Sequence, residues 1–259
     1  MPTEHDPHTQ LIADELHRRG YRLKWWNRWC FTADVRGENV TFWSTRSGLN
    51  TQIAAQLARR KDMTDKVLRA AGVRVPEGGV FRRVQRKQAL GFASRRWPVV
   101  VKPVASRGKA QGATLGVDSP EMFHEAFDKA LKVSPYVMVQ DTVQGEEARF
   151  LVVGGRCVSV LRKRMDPKTG KQVPGVYDEI TAETHPYYKH EAERAVEAFP
   201  GLGLAGLDII APDWSTEGPY AVIEVNAAPG VKGHHIAQTV PFDAAAAIVD
   251  ELEARAVKD

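Results

Sequence analysis

The stretch AGLDIIAPDWSTEGPYAVIEVNAAPG, residues 205–230, decides the fold. Its two apolar runs, GLDIIA and YAVIEVN, flank the turn-forming sequence PDWSTEG, which predicts two strands joined as an antiparallel hairpin. Side chains alternate between the two faces of a strand, so Glu224 and Asn226 share one face of the second strand. Pairing within the hairpin is expected to bring Asp208 of the first strand beside them.

These three polar side chains predict a metal site. Two carboxylates and an amide lie among Ile, Val and Leu residues, where burial is costly unless a cation neutralises the charge. A set of oxygen ligands suits magnesium, which typically binds one or two carboxylates together with waters and substrate phosphates. The alternative, strand-end acids that simply face solvent, explains most single acids in strands but is a poorer account of three polar groups together.

A second candidate site follows the apolar strand VVVKP, which places Lys102 near its end. The next loop contains small residues and two glycines, Gly108 and Gly112, so its backbone N–H groups can approach an anion closely. The loop is not a Walker A motif, because GxxxxGK[ST] occurs nowhere in the chain. Taken alone, such a loop is more typical of a plain turn.

The sequence GLGLAG at 201–206 matches the letter pattern GxGxxG of dinucleotide-binding proteins. That fingerprint requires a strand before the glycines and a helix after them. Here a helix predicted at 188–199 precedes the glycines and a strand follows. We therefore interpret these glycines as a helix cap.

The composition is that of a globular protein. The chain has 259 residues, of which 43% are hydrophobic and 26% charged, which argues against a disordered tail or a coiled coil. No apolar run approaches the roughly 20 residues of a membrane span, and no secretory signal is readable at the N-terminus. Cys30 and Cys157 are far apart, which excludes a cysteine-based zinc cluster or a disulfide scaffold. We expect a cytoplasmic protein without membrane partners.

Positive charge is concentrated in the first part of the chain. Residues 1–100 carry 19 Lys and Arg against 9 Asp and Glu, although the whole chain has a net charge of only +4. This distribution indicates either an anionic ligand or a solvated basic face. The basic segment 82–96 and the nearby Trp25, Trp26 and Trp29 form no recognisable nucleic-acid-binding module, so we expect no nucleic-acid partner.

The predicted elements alternate between helices and antiparallel hairpins, which indicates the α+β class. Gly154 and Gly155 lie between two apolar runs and are a strong signal for a hairpin turn, because both turn positions need a positive φ. Helices are predicted at 8–20, 52–71, 120–132, 188–199 and 242–256. The additional strands are predicted at 29–35 and 39–44, separated by a turn at 36–39, and at 99–102, 136–140, 149–153 and 156–161, with an extended segment at 73–81.

Five sequence motifs, in this order, resemble the ATP-grasp ligases. The resemblance is greatest to the ATP-grasp part of cyanophycin synthetase and to the glutamate-adding ligases that modify a ribosomal protein. It spans roughly residues 58–233. The motifs are ARRKDMTDKVLRAAGVRVPEG, VVVKPVASRGKAQG, VMVQDTVQGEEARFLVVGGR, ITAETHPYY and AGLDIIAPDW…AVIEVNAAPG.

The resemblance implies an α+β ATP-grasp fold in which two α+β subdomains hold ATP between them, preceded by a short N-terminal α/β region. We place the N-terminal region at 1–57, the subdomain with the lid loop at 58–140 and the C-terminal subdomain with the metal site at 141–259. The additional ligase module of cyanophycin synthetase is absent from this sequence, so a polymerising activity does not follow.

The resemblance also assigns roles to individual residues. Two lysines would contact phosphates, the glycine loop would close over them, a linker would contact adenine, and an acid would hold the ribose. The phosphate-contacting lysines are Lys61 and Lys102, and the loop over the phosphates contains Ser106, Gly108 and Gly112. The adenine linker contains Gln140, Asp141 and Val143, and the acid that holds the ribose is Glu147. The metal ligands would be Asp208, Glu224 and Asn226, with Glu224 bridging two ions. The catalytic candidates are Arg149, Arg162, Lys163 and Arg164, where alternation places Lys163 opposite the two arginines without deciding between the faces.

The implied activity is an ATP- and Mg²⁺-dependent ligase that joins a carboxylate to an amine through an acyl phosphate and releases ADP and phosphate. Manganese is an alternative metal, the substrates would be amino acids or peptides, and a homodimer is the default oligomer. His185 could orient substrate or act as a base, or simply be a loop histidine. The alternatives are a phosphotransferase or ester-forming ligase with a hydroxyl acceptor, and a nucleotide-binding module without turnover.

Overall fold

Three antiparallel sheets follow one another along the chain in a computed structural model that describes residues 5–105, 111–166 and 172–257. The first contains β1 (Leu23–Asn27), β2 (Cys30–Val35) and β3 (Glu38–Trp43) in that order. The second has the order β4-β7-β5-β6, from β4 (Gly78–Arg82), β5 (Val99–Pro103), β6 (Thr114–Val117) and β7 (Tyr136–Asp141). The third has the order β10-β9-β8-β11-β12, from β8 (Glu146–Val153), β9 (Arg156–Met165), β10 (Gln172–Glu179), β11 (Leu204–Ala211) and β12 (Ala221–Asn226).

Eight α-helices connect and cover these sheets within the described ranges. They are α1 (Pro7–Arg18), α2 (Gln52–Arg59), α3 (Lys61–Ala70), α4 (Arg86–Ala93), α5 (Pro120–Leu131), α6 (Pro186–Glu197), α7 (Lys232–His235) and α8 (Ala244–Ala256). Side-chain caps begin several of them: Asp6, Thr51, Ser119 and Asp243 each accept a hydrogen bond from a backbone N–H in the first turn. The α+β class predicted from the sequence is confirmed.

The helix predicted over 52–71 is in fact two helices. The chain leaves helical geometry at Arg60, which has φ −98° and ψ 106°. Thr64 stabilises the break because its Oγ1 donates to the carbonyl oxygens of Leu57 and Ala58 at 3.3 and 3.2 Å, which satisfies acceptors at the end of α2. The periodicity of the sequence continues across the break, so it did not reveal that α3 starts afresh with Lys61.

The predicted hairpins are confirmed, and several short elements were not predicted. Gly154 and Gly155 have φ of +57° and +79° between β8 and β9, as the turn requires. In GLGLAG, Gly201 and Gly203 lie between α6 and β11 and Gly206 lies within β11, which confirms the helix–strand order that excludes a dinucleotide fingerprint. The interpretation of these glycines as a helix cap is wrong, because α6 ends at Glu197 and its C-cap residue is Ala198. The sequence analysis missed β1, β6, β10, α4 and α7, whereas the segment predicted to be extended at 73–81 contains most of β4.

The third sheet is covered on both faces by separate apolar cores. One face packs Ala148 and Phe150 against α2, α3 and α6. The opposite face packs Leu151, Val153 and Leu204 against the first sheet, α1 and α8. This second cover leaves the far end of the same face free of core packing, and the candidate site lies there.

The second sheet has its own core. Val99, Val101 and Val139 pack there against Phe123 and Phe127 of α5. The three sheets occupy 23–43, 78–141 and 146–226, and the predicted boundaries after residues 57 and 140 fall within α2 and β7. The division into three regions remains a prediction. Over the ranges that the structure describes, none of the helices combines the length and the apolar character needed to cross a membrane.

Candidate active site

Charged side chains from three adjacent strands line one face of the third sheet. Asp208 of β11 pairs in register with Arg149 of β8 on one side and with Glu224 of β12 on the other. Directly opposed residues in paired strands project from the same face, and Asn226 joins that face two residues beyond Glu224. The predicted meeting of Asp208, Glu224 and Asn226 is therefore confirmed.

Asp208 forms a two-pronged ion pair with Arg149. The guanidinium Nε and Nη2 atoms donate to the two carboxylate oxygens at 2.5 and 2.8 Å, and only 5% of Asp208 is exposed. Burial alone would lower the pKa of Arg149, but the carboxylates of Asp208, Glu224 and Glu147, Asp208 foremost, together raise that pKa above its ordinary value. The arginine thus neutralises a carboxylate that would be costly to bury unpaired.

Glu224 is paired with a lysine from across the cleft. The Nζ atom of Lys61, the first residue of α3, lies 3.3 Å from Glu224 Oε1. The Glu224 side chain remains 46% exposed despite this ion pair. Asn226 uses its Oδ1 to accept the backbone N–H of Ala228 at 2.9 Å, which fixes the orientation of its amide group.

Lys102 projects from the second sheet toward the same strands. Its Nζ donates to the Ile223 carbonyl oxygen at 3.5 Å, one residue before Glu224. Burial, and to a lesser extent the positive charge of Lys61, lowers the pKa of Lys102 to about 8, against the opposing effect of Glu224. The structure therefore brings together the two lysines that the sequence analysis assigned to phosphate contacts.

A cavity of about 20 Å³ lies between the two sheets, lined by Lys61, Lys102, Gln140 and Glu224 among others. That volume accommodates about one water molecule. Gln140 is buried at the end of β7, and its Nε2 atom donates to Asp65 Oδ1 at 3.4 Å. Lys61 and Lys102 bridge the cleft around this cavity through their contacts with Glu224 and the Ile223 carbonyl.

The linker that leaves β7 begins at Asp141. The Asp141 backbone N–H donates to the carbonyl oxygen of Glu77 at 2.8 Å, and its carboxylate lies 3.5 Å from Arg96. Thr142 has a buried Oγ1 atom without a hydrogen-bond partner among the described residues. Val143 follows and is half-buried. The adenine contacts assigned to this linker remain a prediction.

The structure decides the question of faces that strand alternation alone left open. Leu161 of β9 is paired with Arg149, so Lys163, two residues further along, shares the face of the charged cluster. Lys163 donates to Glu147 of β8, the acid assigned to the ribose. Arg162 and Arg164 project to the opposite face, where both interact with the buried Asp178. Of the three neighbouring candidates, only Lys163 joins the site.

Three remaining assignments concern the glycine loop. Ser106 and Gly108 lie outside the described residues. Gly112 has φ +84°, and a Cβ there would approach Val133 within 2.8 Å, so the position requires glycine.

His185 caps α6 by accepting the Tyr187 N–H at its Nδ1 atom, which supports a structural role for this histidine.

Two residues that the sequence analysis did not single out hold the strand ends next to the metal candidates. Asn50 bonds through its side chain to Leu204 and Ala227, and His8 accepts two backbone N–H groups beyond Gly230. No local pattern marks either residue, because their partners lie more than 150 positions away in the sequence.

The donor set fits magnesium. Asp208, Glu224 and Asn226 supply only oxygen atoms from one face, and the positive charges of Arg149 and Lys61 already balance the two carboxylates. Mg²⁺ characteristically needs only one or two protein carboxylates beside waters and phosphates. Within the described part of the chain, no cluster of three or more His, Cys, Asp or Glu side chains is arranged to hold a metal ion.

Comparison with known proteins finds related sequences. Cyanophycin synthetase from Nostoc sp. is 25% identical over 318 aligned residues, which cover 95% of this chain and 35% of the relative. A probable alpha-L-glutamate ligase from Pectobacterium carotovorum is 27% identical over 256 residues, covering 93% of this chain and 80% of the relative. The chain thus spans about a third of the length of the cyanophycin synthetases that it matches.

The fold has known counterparts as well. A crystal structure of a bifunctional glutathione synthetase from Pasteurella multocida superimposes with a TM-score of 0.66 and 19% sequence identity, over 98% of this chain and 44% of that one. The RimK-like ATP-grasp domain matches residues 58–252, which is most of the chain. The sheet order, the charged face and this match have one explanation: the chain belongs to the RimK-like ATP-grasp family.

Proposed function

We propose that this protein is an ATP- and Mg²⁺-dependent ligase that joins the carboxylate of an amino acid or peptide to an amine, with release of ADP and phosphate. The observation that carries the proposal is the charged face of the third sheet. There the side-chain oxygens of Asp208, Glu224 and Asn226 lie together on one face, while Lys61 and Lys102 approach from across the cleft. Family membership and the ligase names of the relatives support the same reaction class.

Asp208, Glu224 and Asn226 would hold Mg²⁺, and we expect two ions at this site. When bound, the metal neutralises charge on the phosphate oxygens; Mn²⁺ is the alternative ion. Lys61 and Lys102 would bind phosphate oxygens in place of their present partners, Glu224 and the Ile223 carbonyl. Gln140, Asp141, Val143 and Glu147 would contact the nucleoside, and Ser106, Gly108 and Gly112 would cover the phosphates.

The proposed reaction has two steps. An oxygen of the substrate carboxylate bonds to the γ-phosphorus while the bond from that phosphorus to ADP breaks, which forms an acyl phosphate. The amine nitrogen then bonds to the acyl carbon, inorganic phosphate leaves, and the nitrogen loses a proton. Arg149 and Lys163 lie on the face where negative charge develops, so we assign them to the stabilisation of that charge.

The first test is thermal unfolding with and without Mg–ATP, in the parent and in Glu224→Ala. A ligand that binds only the folded state stabilises by about 2.7 kcal/mol at a hundred times its Kd. We expect magnesium-dependent stabilisation in the parent, its loss in Glu224→Ala, and its retention in Glu38→Ala, which removes an exposed acid from β3.

The second test separates the reaction classes by product. Acids and amines are screened for ADP release, and the product mass distinguishes an amide from an ester or a phosphate. An amide with stoichiometric ADP and phosphate supports the proposal. Nucleotide binding without ADP release for any acid and amine would instead identify a binding module without turnover.

A further inference from the structure

The loop that follows Asn226 is held by two side chains from the N-terminal region, which the RimK-like domain match does not include. Asn50 holds the start of this loop and His8 holds its end. We propose that Asn50 and His8 are positioning residues for the metal ligand Asn226, so that the N-terminal region is part of the catalytic unit. This inference rests on the proposed function.

Asn50 lies where β11 begins and β12 ends. Its Nδ2 atom donates to the carbonyl oxygens of Leu204 and Ala227, both at 2.8 Å, and its Oδ1 atom accepts the Leu204 N–H at 2.8 Å. The last paired residues of the two strands are Gly206 and Asn226, so the amide group bridges the backbones just beyond the end of the ladder. One side chain therefore joins the two strands that carry the metal candidates.

The backbone around Asn50 is itself fixed. The residues on either side bond to the segment before β11: Thr51 N–H donates to the Gly201 carbonyl oxygen at 2.8 Å, and Gly203 N–H donates to the Leu49 carbonyl oxygen at 3.1 Å. Arg255 Nη1 donates to the same Leu49 oxygen at 3.2 Å. The backbone on both sides of Asn50 is therefore held in place by hydrogen bonds.

His8 holds the other end of the loop. Its Nδ1 atom accepts the backbone N–H groups of Val231 and Lys232 at 3.1 and 3.2 Å. Gly230 packs so closely on the imidazole that a Cβ there would lie 2.9 Å from its Cε1 atom. The histidine ring therefore fixes both the hydrogen bonds and the approach of this part of the chain.

One hydrogen bond couples the position of the loop to the orientation of the Asn226 side chain. Asn226 Oδ1 accepts the N–H of Ala228, which lies between the points held by Asn50 and His8. Pro229, the next residue, covers Gly206 on β11, where a Cβ would approach the proline Cβ within 2.8 Å. Displacement of the loop would therefore rotate the amide that is expected to face the metal, without removing any ligand.

The test measures metal binding separately from turnover. Binding of Mn²⁺ in the presence of ADP is followed by the electron paramagnetic resonance of free Mn²⁺, in the parent, Asn50→Ala, His8→Ala and His8→Asn. We expect Asn50→Ala and His8→Ala to weaken Mn²⁺ binding about tenfold and His8→Asn to restore most of it, because an amide oxygen can replace Nδ1 as the acceptor. Asn39→Ala, at an exposed position of β3, is the matched control and should bind as the parent does.

A double-mutant cycle distinguishes positioning from a general loss of structure. If Asn50 acts through Asn226, the tenfold effect of Asn50→Ala disappears in an Asn226→Ala background. Backbone hydrogen exchange over 227–232 should also accelerate in Asn50→Ala and His8→Ala. Should Asn50→Ala fail to fold, the His8 variants with the same Asn226→Ala background provide the equivalent cycle.

The outcomes separate this inference from the proposed function. Mn–ADP binding that depends on Asn50 and His8, without any amide product, would retain the positioning role and refute the ligase. Amide formation by the parent, with the Mn²⁺ affinity unchanged in Asn50→Ala and His8→Ala, would support the ligase and refute the positioning role. Equal effects in the parent and Asn226→Ala backgrounds, or no Mn–ADP binding by the parent, would overturn the positioning role.

Discussion

The lysine that crosses the cleft predicts a pH dependence for nucleotide binding. Lys102 has a pKa of about 8, lowered by burial and by Lys61, with Asp65, Asp208 and Glu224 facing it as well. A bound phosphate favours the charged form, so binding above pH 8 requires proton uptake. We expect the affinity for Mg–ATP to fall by about tenfold per pH unit above that point.

Isothermal titration in two buffers of different ionisation enthalpy measures this proton uptake directly. Lys102→Arg keeps the positive charge at every pH of interest and should remove the decline above pH 8. Affinity in the parent that stays constant between pH 7 and 9.5 would show that Lys102 does not contact the nucleotide as a charged group.

His234 predicts a loss of stability in mild acid. It is fully buried, its Nδ1 lies 2.7 Å from Ser159 Oγ, and burial, followed by the charge of Arg149, lowers its pKa from 6.5 to about 3. Between these two pH values the unfolded state binds a proton that the folded state does not. Stability is therefore complete above pH 6.5 and falls as the pH decreases, by about 2 kcal/mol at pH 5.

Urea unfolding at pH 7.5 and pH 5 checks the His234 contribution. His234→Gln cannot titrate and should lose about 2 kcal/mol less on acidification than the parent does. His17→Gln, at an exposed position of α1, is the control. Its unfolding free energy should decrease between pH 7.5 and pH 5 by as much as that of the parent. If the unfolding free energy of His234→Gln decreases between pH 7.5 and pH 5 by as much as that of the parent, a group other than His234 causes the acid sensitivity.

At the scale of single elements, the turn into β8 depends on one glycine. Gly145 has φ +134°, and a Cβ there would lie 2.4 Å from the carbonyl oxygen of Ala211. Gly116 in β6 also has a positive φ, of +63°, but no atom within 4 Å of its Cβ position. We expect Gly145→Ala to cost about 3 kcal/mol or more and Gly116→Ala about 1 kcal/mol, because only the first combines backbone strain with a backbone clash.

Denaturant unfolding of the two variants measures this difference, with the parent as reference. Comparable losses would mean that the backbone near Ala211 yields and that φ alone sets the cost. Since Gly145 ends the linker between the second and third sheets, Gly145→Ala should also weaken nucleotide binding, whereas Gly116→Ala should not.

The elements also show how far sequence reasoning extends. The meeting of Asp208 with Glu224 and Asn226 was predictable only in part. Alternation places Glu224 and Asn226 on one face of their strand, but the direct pairing of Asp208 with Glu224 depends on a register shift between Asp208 and Ile209 that the sequence pattern does not specify. β10 was not predictable: its sequence contains Pro174 and Gly175 and becomes a strand only by pairing with β9. The Asp208–Arg149 pair joins residues 59 positions apart, and no periodicity specifies such a contact.

At the scale of the whole molecule, the third sheet depends on the N-terminal region for cover. Ile12, Leu16, Phe31 and Phe42 are fully buried in the same core as Leu151, Val153 and Leu204 of that sheet. The RimK-like domain match begins at residue 58 and excludes all four N-terminal residues. A family match therefore marks related sequence here and not an independent folding unit.

This dependence predicts that residues 58–259 alone do not form a stable protein. Without the N-terminal region, one apolar face of the central sheet and one side of α8 are exposed, so the fragment should aggregate or bind a hydrophobic dye such as ANS. The comparison is with the full chain and with Phe42→Ala, which removes a single buried ring from the same core at a cost of about 3–5 kcal/mol. A soluble, monomeric fragment with cooperative unfolding near the parent's Tm would show that the third sheet needs no such cover, and the N-terminal region would then be an addition to the fold that serves the active-site loop alone.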